Sequence, residues 1–262
     1  MSQENLHRLD VKEGEETRRE RIRRRGIYLL PNLITTGALF AGFYAIVAAV
    51  NTNYIAAALA IFVAGGFDTL DGRVARWTHT ESEFGAEYDS LSDMVAFGVA
   101  PAFVMFFWGL STLGQIGWVA SFIFLACAAL RLARFNTVHD DSFFQGLASP
   151  SAAAIIASSV WLWESWALGT PSPLATATMA AVTILTGVLM VSNFTYFSPK
   201  LLNIKGRVPF LALVAGVLFI SVIMVEPPLV LLVLFSGYAL SGPAQYVFRK
   251  LRNSSADSPS ND

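Results

Sequence analysis

Apolar residues in this chain fall in long blocks, at 30 to 50, 54 to 76, 86 to 110, 113 to 134, 148 to 168, 173 to 193, 208 to 225 and 227 to 246. A helix needs about 20 apolar residues to cross a bilayer, and most of these blocks reach that length. The pattern predicts an all-α, polytopic membrane bundle of about eight transmembrane helices. The last two blocks are short and meet at Glu226, Pro227 and Pro228, so that end either spans or forms a re-entrant hairpin.

Polar positions then set the orientation. Eight spans put both termini on one side, and the excess of Lys and Arg marks the cytoplasmic side. Of the 18 basic residues, eight precede the first span. The others are Arg73 and Arg76, Arg131 and Arg134, Lys200 with Lys205 and Arg207, and Arg249, Lys250 and Arg252. None lies in the alternate loops near Asn51, Ser111, Thr170 or Glu226. Both termini are therefore expected to be cytoplasmic.

Composition sharpens this picture without redirecting it. With 54% hydrophobic and 14% charged residues, the chain is too apolar for one soluble domain. The net charge of −1 hides a basic cluster at Arg18, Arg19, Arg21, Arg23, Arg24 and Arg25. Its place beside a span, among interspersed acids, suits anionic lipid headgroups better than nucleic acid. No cleavable signal pattern begins the chain. The single cysteine, Cys127, lies within a span and reads as core packing, which leaves no disulfide or thiolate metal site. Trp161, Trp163 and Trp166 read as an interfacial belt.

Chemistry concentrates between Asp68 and Asp93. Asp68, Asp71, Gly72, Ala75 and Arg76 fall at i, i+3, i+4, i+7 and i+8, one stripe of a helix. After eight intervening residues, Gly85, Asp89 and Asp93 repeat at i, i+4 and i+8, a stripe on the next helix. Two facing helices thus present four carboxylates in apolar surroundings, where ionisable groups are costly and mark function. Crowded carboxylates need a compensating cation, and oxygen-only ligands favour Mg2+, Mn2+ or Ca2+. Two ions sharing four aspartates are expected. Gly72 and Gly85 leave room beside the backbone, and Arg76 is placed to take a phosphate oxygen, so the pattern suits a diphosphate substrate. His79 either reaches this site or is an ordinary solvated loop histidine.

These residues match every fixed position of D-x2-D-G-x2-A-R-x8-G-x3-D-x3-D, and the segment resembles the CDP-alcohol phosphatidyltransferase family, which carries that signature. The resemblance implies a core of six helices and transfer of a phosphatidyl group from a CDP-activated lipid to an alcohol, with release of CMP. It also implies Asp68, Asp71 and Asp89 as the main metal ligands. Asp93 would be the general base and a further ligand, while Gly72, Ala75, Arg76 and Gly85 would accommodate the CDP portion. The division it implies is a basic segment at 1–26, a catalytic core at 27–200, a C-terminal hairpin at 201–248 and a polar tail at 249–262. Dimerisation is expected by resemblance alone.

Outside the shared signature, SDMVAFGVAPA at 92–102, RLARFN at 131–136 and GLASPSAAA at 146–154 resemble the bacterial phosphatidylserine synthases of this family. The third departs from the usual GLPxPAAA at Ala148 and Ser151. CDP-diacylglycerol and L-serine are the substrates so implied, in a bacterial inner membrane with the site facing the cytoplasm. Serine needs a cation for its carboxylate and acceptors for its ammonium, whereas glycerol phosphate or inositol phosphate needs a stronger basic pocket. Arg131 and Arg134 either serve that role or anchor their helix in headgroups. Asn32, Thr35 and Thr36 either line the nucleotide or acceptor pocket or make interhelical bonds, and Lys200 is similarly placed.

Two other readings compete. One is a phosphatidyltransferase of the same family acting on glycerol 3-phosphate, inositol phosphate or choline. The other is a metal-ion transporter, which also uses intramembrane carboxylates. Transport is disfavoured because the chain shows no second, related half. No Asp occurs between Asp141 and Asp257, and the acids are tied to Gly72, Arg76 and Gly85. A phospholipase-D-like synthase is excluded, because none of the three histidines begins an H-x-K sequence.

Overall fold

The computed structural model describes residues 29–137, 145–194, 196 and 210–256. The basic segment at 1–26, Lys200 and the last six residues lie outside them. The eight apolar blocks all appear as helices: α1 (Leu29–Val50), α2 (Tyr54–Thr78), a rod made of α3 (Glu83–Asp93) and α4 (Ala100–Trp108), α5 (Gln115–Thr137), α6 (Ser149–Ser165), α7 (Pro173–Val191), α8 (Phe210–Val225) and α9 (Pro227–Ala256). Six are long and apolar enough to cross a membrane: α1, α2, the α3–α4 rod, α5, α7 and α9 through Phe248. The described parts of α6 and α8, at 17 and 16 residues, are shorter than these six. The last helix also runs through Ala256, into the segment expected to be a polar tail.

Small residues set how closely the helices approach. The sequence of α6 puts Ala152–Ala154, Ile155, Ile156, Ala157, Ser158, Ser159 and Val160 out of solvent on all faces. A helix that is apolar all round belongs at the centre. It packs against α2, α4, α7 and α9, while α5 packs extensively on α7. Gly42 of α1 lets that helix close on the rod, where an added Cβ would stand 2.8 Å from the Ala96 Cα. Several buried hydroxyls bond within their own helices, as Ser158 does to Ala154 O at 2.6 Å and Thr183 to Met179 O at 2.7 Å, which satisfies them without a partner helix.

Helix ends carry their own signals. Asn53 caps α2 by accepting from Ala56 N at 3.2 Å, and Ser82 caps α3 by accepting from Gly85 N at 3.1 Å. Between them α2 stops at His79, which takes the left-handed conformation with φ 52°. The rod changes pitch in the middle: Met94–Val99 forms a π turn, closed by Ala100 N bonding Val95 O. Pro101 follows, and its missing N–H removes a regular helical bond there. The wider turn begins one residue after Asp93, and π turns are frequent at functional sites.

One end of the bundle is tied by tryptophans. Trp108 Nε1 donates to Glu164 Oε1 at 3.0 Å, Trp163 Nε1 to Gly169 O at 2.8 Å and Trp166 Nε1 to Glu226 Oε1 at 3.1 Å. Trp161 packs on Phe62, with ring centroids 6.1 Å apart. The belt residues therefore gather at the C-terminal end of α6. The aspartates lie at the other end.

Candidate active site

The site forms where the C-terminal half of α2 meets α3, with α1 packed across both. Asp68, Asp71 and Asp89 bring their carboxylates together, with one oxygen from each lying within 4.8 Å of the others. Asp93, one turn further along α3, is not one of these three but stands beside Asp68 and interacts with it electrostatically. The two stripes thus face each other as their spacing predicts.

Oxygens that share one Mg2+ are separated by at most about 4.2 Å, and those that share Ca2+ by about 5 Å, given the usual metal–oxygen distances. The spread of the three carboxylates is of that size. All the donors are oxygens, which is the set for a hard divalent ion.

Asp71 is the most firmly held member of the cluster. It is buried, Thr35 Oγ1 donates to its Oδ2 at 2.7 Å, and Gly72 N donates to its Oδ1 at 2.6 Å. Thr35 is in turn fixed by its own backbone, since its carbonyl accepts from Ser92 Oγ at 3.1 Å. Ser92 immediately precedes Asp93. One threonine therefore links α1 to both aspartate helices.

Neighbouring residues complete the rim. Thr36 Oγ1 lies 2.9 Å from Tyr88 Oη, and the Asn32 amide oxygen would be 3.5 Å from a Cβ placed on Gly85. Asn32, Thr35 and Thr36 all sit against the motif helices, and the two threonines make interhelical bonds. A Cβ on Gly72 would meet nothing within 4 Å, so the backbone of α2 faces open space beside Asp71. Ala75 is half-buried and Arg76 is exposed one turn beyond. His79 is exposed at the helix end, which accords with the solvated reading.

The two arginines of α5 have separate fates. Arg134 is exposed and tied to its surroundings, donating to Gln145 Oε1 and, at 3.1 Å, to Asn193 Oδ1. Arg131 turns inward, donates from Nη1 to Ser149 Oγ at 2.9 Å and lies in electrostatic contact with Asp93 and Tyr238. Its Nε is buried and has no hydrogen-bond partner. Buried donors are rarely left unmade, so this one stands out among the described residues.

Several contributors were not apparent from the helical stripes: Ser92, Ser149, Tyr88 and Tyr238. Ser92 and Ser149 do fall in the stretches 92–102 and 146–154, which stand out in the sequence for another reason. Tyr88 and Tyr238 carry no such signal.

Comparison with known proteins adds a family. Residues 28–218 match the model of the CDP-alcohol phosphatidyltransferase family. A CDP-diacylglycerol-serine O-phosphatidyltransferase of Helicobacter pylori strain J99 is 36% identical over 227 residues, covering 85% of this chain and 92% of that protein. Enzymes with the same name from Methanocaldococcus jannaschii and Saccharomyces cerevisiae are 41% identical over 137 residues and 39% identical over 134. These alignments cover 52% and 45% of this chain, and 60% and 48% of the respective relatives.

Proposed function

This chain belongs to the CDP-alcohol phosphatidyltransferase family, and from that premise we propose that it is a phosphatidylserine synthase, transferring the phosphatidyl group of CDP-diacylglycerol to L-serine. The serine hydroxyl oxygen forms a bond to the phosphorus that carries the diacylglycerol, the bond from that phosphorus to the CMP oxygen breaks, and CMP leaves. Asp93 takes the hydroxyl proton. A hydroxyl is a poor nucleophile at neutral pH, so a positioned carboxylate is what the step requires.

The family is generally dependent on divalent metal, and Asp68, Asp71 and Asp89, with Asp93 beside Asp68, would hold it. We assign Mg2+ or Mn2+, as a pair of ions. When bound, they would neutralise the diphosphate and stabilise charge on the departing CMP. Thr35 and Gly72 N orient Asp71 for that task. The open face at Gly72 admits the CDP portion, with Ala75, Gly85 and Arg76 along its edge.

Arg131 supplies the cation for the serine carboxylate. The observation that supports this reading is its buried, unpartnered Nε, on a side chain in electrostatic reach of Asp93, where a bound carboxylate would lie near the proposed base. Arg134 is already engaged by Gln145 and Asn193. The distribution of basic residues supports a site that faces the cytoplasm in a bacterial inner membrane, with both termini on the same side. A homodimer is supported by the family resemblance.

The test is CMP release by purified protein given CDP-diacylglycerol and L-serine, before and after metal is stripped with a chelator. Release that needs both serine and restored Mg2+ or Mn2+ is expected. Release that ignores serine, or divalent-ion flux in liposomes without CMP, would contradict the proposal.

A further inference from the structure

The helix α9 lies beyond residues 28–218, which the family model matches, yet it packs along α6, whose first residue is Ser149. Its register is fixed by Tyr196. That phenol is buried and donates to Ala239 O at 3.1 Å, and its ring covers Gly242, where a Cβ would come within 2.5 Å. Burial pushes the Tyr196 hydroxyl up to about 12, so it remains a donor. Only glycine at 242 allows α9 to seat this closely.

Tyr238 stands next to this lock. Its ring centroid is 5.4 Å from that of Tyr196, at an interplanar angle of 43°. It also interacts electrostatically with Arg131, which is bonded to Ser149 and feels the charge of Asp93. Among the described residues the Tyr238 hydroxyl makes no hydrogen bond. A guanidinium Nε–H and a phenol O–H, on side chains that interact electrostatically, are thus both without acceptors among the described residues. A carboxylate accepts from two such donors at once.

We propose that Tyr238 is a specificity-determining residue of the acceptor site, its hydroxyl donating to the carboxylate of the amino-acid acceptor alongside Arg131 Nε. This rests on the serine reading given above and extends it to a helix outside the matched region. The last helix then does more than anchor the chain, because it closes the acceptor pocket.

The test is Tyr238→Phe, which removes one oxygen and keeps the ring packed on Tyr196. With initial rates of CMP release, the KM for L-serine should rise about 10-fold or more, as for a lost charge-assisted hydrogen bond, while the KM for CDP-diacylglycerol stays near wild type. L-Alanine has the carboxylate and ammonium without the hydroxyl, and its inhibition of the serine reaction should weaken by a similar factor. Leu240→Ala, on an exposed face of α9, should leave all three values unchanged. An unchanged serine KM in Tyr238→Phe overturns the inference and leaves the serine reading standing. Equal increases for both substrates, with a lower unfolding temperature, would also overturn it by showing a purely structural role. If the wild-type protein does not use serine, the underlying reading falls and takes this inference with it.

Discussion

Thr35 on α1 donates a 2.7 Å hydrogen bond to Asp71 on α2, and the same residue accepts at its carbonyl from Ser92, next to Asp93. A carboxylate that must meet a metal in one orientation is usually held by such a partner, whose loss costs about 10-fold to 100-fold in metal affinity. Thr35→Val keeps the shape and removes the hydroxyl. It should weaken Mg2+ or Mn2+ by that range, as read from the metal dependence of CMP release, while Thr35→Ser stays close to wild type. Equal metal dependence in all three proteins would show that the bond merely packs α1.

Asp93 and Asp89 should separate by function. An amide at 93 preserves shape and removes the base, so Asp93→Asn should retain CDP-lipid binding and lose about 100-fold to 10,000-fold in kcat. Asp89→Asn and Asp68→Asn should lose metal affinity as well. Direct metal titration of the purified variants, beside turnover, distinguishes them. Near-normal turnover by Asp93→Asn would remove it from the role of base.

The α5 arginines should also behave differently. Arg131→Ala leaves the acceptor carboxylate without its cation and should raise the serine KM roughly 10-fold to 150-fold, the range for a lost charged hydrogen bond. Arg134→Ala breaks bonds to Gln145 and Asn193 and should lower the unfolding temperature instead, with the serine KM close to wild type. The reverse result would exchange their roles.

Orientation is accessible to labelling. In a protein whose Cys127 has been replaced, a cysteine at Ser82, in the loop between the aspartate helices, should react with a membrane-impermeant reagent from the cytoplasmic side. One at Thr170 should react only from the opposite side. Labelling of both from one side would overturn the assigned topology.

Much of this site is legible in the sequence because helical spacing places residues on a face without further information. Asp68, Asp71 and Asp89 are such a case, and their carboxylates meet, with Asp93 beside Asp68. What spacing leaves open is which neighbour a polar side chain reaches across a helix contact. Thr35 and Thr36 are alike in sequence, yet one turns to Asp71 and the other to Tyr88. Arg131 and Arg134 differ in the same way, because three residues along α5 turn a side chain from Ser149 toward the loop residues Gln145 and Asn193. The place of α6 was open for a related reason: its apolar block signals a buried helix, while its neighbours α2, α4, α7 and α9 are set by packing. Tyr238 had no local signal at all, since its place depends on how Tyr196 seats α9.

The most direct measurement of the central claim offers the purified, metal-loaded protein CDP-diacylglycerol with one alcohol at a time and identifies the lipid product by mass. With L-serine the account predicts phosphatidylserine and stoichiometric CMP, and it predicts little product with glycerol 3-phosphate, inositol phosphate or choline. Efficient formation of phosphatidylglycerol phosphate or an inositol lipid, with serine ignored, would contradict the serine assignment and the role given to Arg131.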